Sequence, residues 1–341
     1  MLSAVLLATM APVSFAAESP AFQNGPYLLA PKTNSMVVVW ESTQAVGSTI
    51  AYGTDANNLC EPIPVASDAD APDFNGSKMN LFHYKLDNLT PGTQYYYEVK
   101  LEGGESCKAS FRTLSDNPEQ IRLISLSDSH IFATREELDA AVKNYDPDII
   151  LHCGDLVEGT GAQAEQFSFW FQGKVENDFI HSYPVVYASG NHDQGGVYFD
   201  TYVYSIQNEE YGASVEGDSS FNYGDLHIIT MNSNPWGLFQ MNSEATGQQA
   251  DASTLKTIDD AMAWLKSDLA TDAATQAQFR IIMMHHPVSN AYTNRYIPSV
   301  IEPGNVDLLL AGHTHSYARA VSSDPKVGAG TVYLTHQDAR T

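Results

Sequence analysis

Basic residues are scarce in this chain. Against 41 Asp and Glu, the 341 residues hold only 17 Lys and Arg, a formal net charge of −24. Binding to long nucleic acid depends on counterion release by clustered cations, so such a partner is argued against. The acidic surplus reads instead as a solubilising shell whose self-repulsion salt can screen. Cysteine is nearly absent, at 3 residues, which rules out a disulfide-dense scaffold. Cys60 and Cys107 fall in the N-terminal part, where an oxidising compartment would permit a bridge between them. Cys153 lies in an apolar run and reads as a buried thiol. Beyond residues 1–16, no stretch approaches the roughly 20 apolar residues of a membrane span. What is present, 43% hydrophobic and 17% charged residues, fits a globular chain long enough for two domains.

Residues 1–16, MLSAVLLATMAPVSFA, carry no charged side chain and end in the small-x-small pattern Ser14-Phe15-Ala16. They read as a secretory leader removed after Ala16, although the usual basic residue at the start is missing. The expected location is therefore secreted or periplasmic. Residues 22–114 alternate short β-branched and aromatic runs, such as Ser35 to Trp40 and Gln94 to Val99, with turn pairs at Pro72-Asp73, Asn75-Gly76 and Pro91-Gly92. This punctuation predicts a small N-terminal β-sandwich. Ser115-Asp116-Asn117-Pro118 serves as a linker. Residues 119–341 change period: apolar strand-like runs at 121–126, 149–153, 185–188, 226–231, 279–284 and 306–310 are separated by helical patterns. Thr134-Arg135-Glu136-Glu137 has capping-box spacing. Leu255, Ile258, Met262, Leu265 and Leu269 mark one apolar helix face. The second domain is expected to be an α/β layered sandwich.

Five polar clusters follow these runs: Ser127-Asp128-Ser129-His130, Gly154-Asp155, Gly190-Asn191-His192-Asp193, His285-His286-Pro287 and Gly312-His313-Thr314-His315. Loops at the carboxyl ends of strands in open α/β sheets converge on one crevice, so the clusters are expected to meet. Asp128 and His130 are two apart, as are His313 and His315, which in an extended segment puts both side chains on one side. Carboxylate, amide and imidazole donors without thiolate suit divalent or mixed-valence Fe, Zn or Mn. A pair of such ions needs a bridging carboxylate, and Asp155 is the candidate. The donors then divide into Asp128, His130, Asp155 and His315 for one ion and Asp155, Asn191, His285 and His313 for the other.

The ordered set Asp-x-His, Gly-Asp, Gly-Asn-His-Asp, His-x-Pro and Gly-His-x-His resembles the calcineurin-like metallophosphoesterase superfamily. That resemblance implies the same ligand division, with His285 rather than His286 as the ligand. It also implies that His192 contacts the phosphate and protonates the leaving group, with Asp193 orienting it. A closer likeness covers most of the chain. Gly25-Pro26-Tyr27-Leu28, Pro91 to Tyr97 and Phe111-Arg112-Thr113 are similar to the fibronectin-III-type domain that precedes purple acid phosphatases. Trp264 to Leu269 and Gly312 to Arg319 are similar to stretches of their catalytic domain. Arg319 is a candidate phosphate-binding residue, the alternative being that it holds a loop through an ion pair.

Two departures stand out. Where purple acid phosphatases carry a Tyr three residues after the bridging Asp, this chain has Glu158, while His130 adds a donor those enzymes lack. The sequence also stops soon after Arg319, with Gly330 to Thr335 as one last strand, where relatives continue, so either a fragment or a trimmed final sheet is expected. The activity expected is hydrolysis of small phosphomonoesters by a metal-bound hydroxide. The alternatives are a phosphodiesterase or nucleotidase with the same core, and a non-catalytic secreted binding module.

Overall fold

The structure is a computed structural model that describes residues 19–69, 71–74, 77–130, 135–159, 161–173, 178–214, 217–235, 251–287, 297–321 and 330–337. The leader-like residues 1–16, the Asn75-Gly76 turn and Thr134 of the expected capping box lie outside the described residues.

The first strands run β1 (Phe22–Leu29), β2 (Met36–Ser42), β3 (Ser48–Gly53) and β4 (Ile63–Val65). After the short ribbon β5 (Asp73–Phe74) and β6 (Ser77–Lys78) come β7 (Asn80–Leu86), β8 (Gln94–Leu101) and β9 (Ser106–Arg112). One sheet has the order β1-β2-β7 and the other β4-β3-β8-β9, with every neighbouring pair antiparallel. This is the expected β-sandwich. Its inner faces meet through Leu28, Met36, Val38, Trp40, Phe82, Tyr97, Val99 and Phe111.

Strand β2 is buried along its whole length. Side chains alternate across a strand, so the uninterrupted apolar run Met36 to Trp40 must be covered on both faces. Val38 and Trp40 enter the sandwich core. Tyr27, Leu29, Val37, Val39 and Leu81 point the other way and share a second core with Phe167, Trp170, Phe171 and Tyr202. Polar contacts pin the same seam. Tyr27 donates to the Tyr202 carbonyl at 2.6 Å and Tyr97 to that of His181 at 2.7 Å. Buried Glu41 accepts from Asn24 at 2.6 Å and from the Tyr202 hydroxyl at 2.8 Å.

Burial pushes the Glu41 carboxyl above the usual range, only partly opposed by the Tyr202 and Asn24 hydrogen bonds. A raised folded value means that the protonated form favours folding: the contribution is full below the unfolded value and is lost as pH rises through the folded one. Glu41→Gln should therefore gain stability relative to wild type as pH rises from about 4 to 7. Urea unfolding of both proteins across that range checks it; a difference independent of pH would contradict it.

Cys60 and Cys107 are both free thiols, so the permitted bridge is not formed. Cys60 pairs its backbone N–H with Tyr52 of β3 at 2.9 Å, whereas Cys107 lies in β9. Because β8 stands between β3 and β9, two strand spacings of about 4.8 Å separate them, beyond disulfide reach.

The second domain holds two sheets. Strands β10 (Leu123–Leu126), β11 (Ile149–His152) and β12 (Val185–Tyr187) form a parallel one. The other, in the order β13-β14-β15-β16-β18-β17, combines β13 (Ser219–Tyr223), β14 (Leu226–Thr230), β15 (Phe279–Met283), β16 (Leu308–Ala311), β17 (Ala318–Val321) and β18 (Val332–Thr335). Strands β14, β15, β16 and β18 run parallel, with antiparallel β13 and β17 at the edges. Ile149, Leu151, Val186, Ile228, Ile281, Met283 and Leu310 make the core between the sheets. Among the described residues the α-helices are α1 (Arg135–Tyr145), α2 (Ala164–Phe171), α3 (Ser205–Tyr211), α4 (Ala252–Asp268) and α5 (Asp272–Gln276). In α4, Ile258, Met262 and Leu265, with Leu269 just beyond, bury the face that the periodicity predicts. Asp251 caps it by accepting from the Thr254 amide at 2.7 Å. No helix among the described residues is long and apolar enough to cross a membrane.

Candidate metal centre

Five parallel strands, β10, β11, β12, β15 and β16, release their chains at the same end of the two sheets, and each release point carries one of the polar clusters. The side chains converge. Asp128, His130 and His315 offer donor atoms within 4.8 Å of one another, and so do Asp128, Asp155 and His285, and His285, His286 and His313. His315 Nε2 lies 3.3 Å from Asp128 Oδ1 and 3.2 Å from His130 Nε2. His285 Nε2 lies 3.1 Å from both Asp155 Oδ2 and Asn191 Oδ1. Asp128, His130, Asp155 and His285 are almost wholly buried.

The backbone here differs from the extended segments expected. Asp128 (φ 53°), His130 (47°), Asp155 (58°), His313 (73°) and His315 (53°) all occupy the left-handed region. Each such non-glycine residue costs on the order of 1 kcal/mol, and the strain persists only where surrounding contacts hold it. Left-handed residues, not a pleat, turn Asp128 with His130 and His313 with His315 inward. Their amides are tied down: the His313 N–H donates to Asp128 Oδ2 at 3.0 Å, and that of His130 to the Asp155 carbonyl at 3.1 Å. Gly312 allows this approach, since a Cβ there would stand 1.9 Å from Ser127 Oγ and 2.4 Å from Asp128 Oδ2.

Three imidazoles take their orientation from one stretch of chain. The carbonyls of Cys153, Val157 and Gly159 meet the Nδ1 atoms of His285 (2.8 Å), His130 (2.9 Å) and His192 (2.7 Å). A carbonyl can only accept, so each Nδ1 carries the proton and each Nε2 is left facing the centre. His192 is 36% exposed, with Nε2 4.0 Å from Asp155 Oδ2, so it borders the crevice rather than the core.

Among the described residues Asp193 makes no hydrogen bond to His192, the partner that the resemblance implied. Its carboxylate accepts the amides of Asp155 (2.9 Å), Leu156 (2.8 Å) and Gly190 (2.8 Å), and so ties the loops after β11 and β12 together. The Gly159 carbonyl does the orienting instead. Arg319 is exposed on β17 and makes no side-chain hydrogen bond or ion pair among the described residues. Glu158 is half-exposed, with Oε2 3.6 Å from His130 Nδ1. His152 and His227 are satisfied core histidines, bonded to Ser129 at 2.9 Å and to Asp268 at 2.8 Å. Cys153 turns away from the donors toward Ser125.

Sequence reasoning missed Ser233 and Asn234. Ser233 is fully buried, accepts the His285 and His286 amides at 3.2 and 2.9 Å, and lies 3.0 Å from His286 Nδ1. Asn234 donates to Ser189 Oγ at 3.0 Å, bracing the approach to Asn191. The signal was there: Asn232-Ser233-Asn234 is a polar run directly after an apolar strand, as the other clusters are.

The buried carboxylates and imidazoles of the centre shift one another's protonation. Burial acts to lower His285, but the Asp155 carboxylate overrides it and raises the imidazole to about 9. Burial acts to raise Asp155, yet His285 and the His192 amide hold it well below the usual range. Burial, then the Asp155 charge, push Asp193 up to about 7. Burial and His285 depress His313, and burial and the two neighbouring imidazoles depress His286 still further. Sunken carboxylates among clustered imidazoles, with a glycine-cradled floor and no thiolate, are a donor set that fits two hard-to-borderline cations.

Comparison with known proteins agrees with this geometry. Residues 121–317 match the family model described as calcineurin-like phosphoesterase, and residues 25–113 match that of the purple acid phosphatase N-terminal domain. The chain belongs to the calcineurin-like phosphoesterases, with a purple acid phosphatase-type sandwich in front. It is 23% identical over 320 residues to a purple acid phosphatase of Glycine max and 22% identical over 328 residues to an uncharacterized protein of Mycobacterium tuberculosis. These alignments take in 84% of this chain but only 62% and 60% of the relatives, so the chain spans about three fifths of their length. Among solved structures, yellow lupin purple acid phosphatase PPD1 superposes with a TM-score of 0.62 at 16% identity, covering 94% of this chain and 65% of that one. PhoD superposes with a TM-score of 0.64 at 13% identity, covering 95% and 78%. Both likenesses establish the fold.

Proposed function

We propose that this protein is an exported phosphatase that hydrolyses small phosphomonoesters at a dinuclear metal centre. Asp128, His130, Asp155 and His315 would hold one ion and Asp155, Asn191, His285 and His313 the other. When bound, such a pair polarises a phosphoryl oxygen and supplies hydroxide near neutral pH. His192 faces the leaving group: with its Nδ1 proton committed to Gly159, the protonated ring has only Nε2–H to give, and that atom borders the crevice. The observation that carries the reading is this combination of a locked, half-open imidazole beside a converged set of seven donors. A purely structural metal site has no use for the imidazole. The leader-like residues 1–16 support export.

His192→Ala should lower kcat by about 10²–10⁴-fold while leaving metal content unchanged. Steady-state kinetics with p-nitrophenyl phosphate, alongside elemental analysis, tests this; undiminished turnover with both metals retained would remove His192 from the mechanism. Comparable turnover of bis- and mono-p-nitrophenyl phosphate would favour a diesterase instead. With Glu158 in place of a phenol, iron-loaded protein should lack the intense visible band of a tyrosinate–ferric pair. A strong band in the green that disappears in Asp155→Ala would refute that.

A further inference from the structure

Strand β14 ends at Thr230 and carries no assigned ligand, but the segment after it grips two chains that do. Its last rung to β15 is the Met231 amide on the Met283 carbonyl at 2.9 Å. The Met284 amide then turns to Leu310 of β16 at 3.1 Å. The next amide, that of His285, goes to a side chain instead of a strand carbonyl. The Ser233 hydroxyl oxygen accepts it at 3.2 Å and takes the His286 amide as well, at 2.9 Å. A buried N–H needs such an acceptor, and Ser233 is itself fully buried. The hydroxyl also lies 3.0 Å from His286 Nδ1.

Asn234 works on the other loop. Its side-chain amide donates to Ser189 Oγ at 3.0 Å and to the Ser189 carbonyl at 3.3 Å, two residues before Asn191. Adjacent residues thus fasten the chains that carry His285 and Asn191, whose Nε2 and Oδ1 stand 3.1 Å apart. Among the described residues neither Ser233 nor Asn234 bonds to Asp128, His130 or His315. The amides of Asp128 and His130 are held elsewhere, by the Gly154 and Asp155 carbonyls at 3.0 and 3.1 Å. The grip is one-sided.

We infer that Ser233 and Asn234 are positioning residues for one ion and not for the other: they set the affinity of the Asn191–His285–His313 site for its divalent cation. This rests on the dinuclear reading above and adds to it an inequality between the two sites. Without Ser233 the main chain at His285 loses its anchor on the β14 side. Without Asn234 the approach to Asn191 loses its own. Removing an outer partner of this kind costs about 10–100-fold in metal affinity.

The test uses the full-length protein, stripped of metal and titrated with zinc. Wild type should take up two ions. Ser233→Ala and Asn234→Ala should each weaken one of them by about 10–100-fold and leave the other as tight as before. ¹⁵N-histidine NMR identifies the site. With a single zinc bound, both variants should show metal-shifted ring nitrogens for His130 and His315 and free-ring values for His285 and His313. A general loosening of the fold would weaken both sites together, so equal weakening overturns the inference. Unchanged affinities, or loss of the ion held by His130 and His315, overturn it too. Should Ser233→Ala fail to fold, Asn234→Ala, which acts on a different loop, decides. A wild type that takes up fewer than two zinc ions overturns the dinuclear reading and this inference with it; two ions without the selective loss overturn the inference alone.

Discussion

Replacing Asp155 with alanine is expected to strip the centre of both ions and cut turnover by at least ~10³-fold. Asp155 reaches both His285 and His192: Oδ2 lies 3.1 Å from His285 Nε2 and 4.0 Å from His192 Nε2, while Oδ1 accepts the His192 amide at 2.8 Å. It also stands in the same donor group as Asp128. Asp155→Asn is the informative companion. An amide oxygen still accepts from His192, so the loop after β12 keeps its anchor, but the negative charge that both ions would share is gone. If charge is what holds the metals, both variants lose them and only the alanine loosens His192. Elemental analysis, with kinetics on the same samples, separates these effects. Full metal content in either variant would mean that another carboxylate bridges.

A chain beginning at residue 119 is expected not to fold. Family models divide the molecule near residue 113, yet Tyr27, Leu29, Val37, Val39 and Leu81 sit in one core with Phe167, Trp170, Phe171 and Tyr202. The Tyr27 and Phe171 rings lie 4.4 Å apart. Uncovering a large ring forfeits about 2–4 kcal/mol of apolar burial. Typical domains are stable by about 5–15 kcal/mol, so uncovering three or four rings exhausts the margin. The shortened chain should be insoluble, or show no cooperative thermal transition by circular dichroism. A sharp transition near that of the whole protein would show that the seam is dispensable.

The two-sided seam was legible in part. An alternating strand buries one face, whereas Met36 to Trp40 is apolar without a break, which signals cover on both sides; what covered the outer face was beyond any local pattern. The site was legible as far as its residue types and their place after apolar strands. Its backbone was not. Asp-x-His is compatible with a pleat or with two left-handed turns, and the choice is made by long-range amide bonds such as that from His313 to Asp128. Asp193 acts on main-chain amides from distant loops, and such partners leave no mark on spacing. Cys60 and Cys107 could not be judged from sequence because strand order, not separation along the chain, sets their distance.

The carbonyls of Cys153, Val157 and Gly159 make the segment after β11 a shared rudder for His285, His130 and His192, which come from three other loops. Slipping that segment by one residue would swing two candidate ligands and the candidate acid off target in a single stroke. Retuning such an enzyme for another metal or leaving group is therefore safer by exchanging donors one at a time than by inserting or deleting residues there.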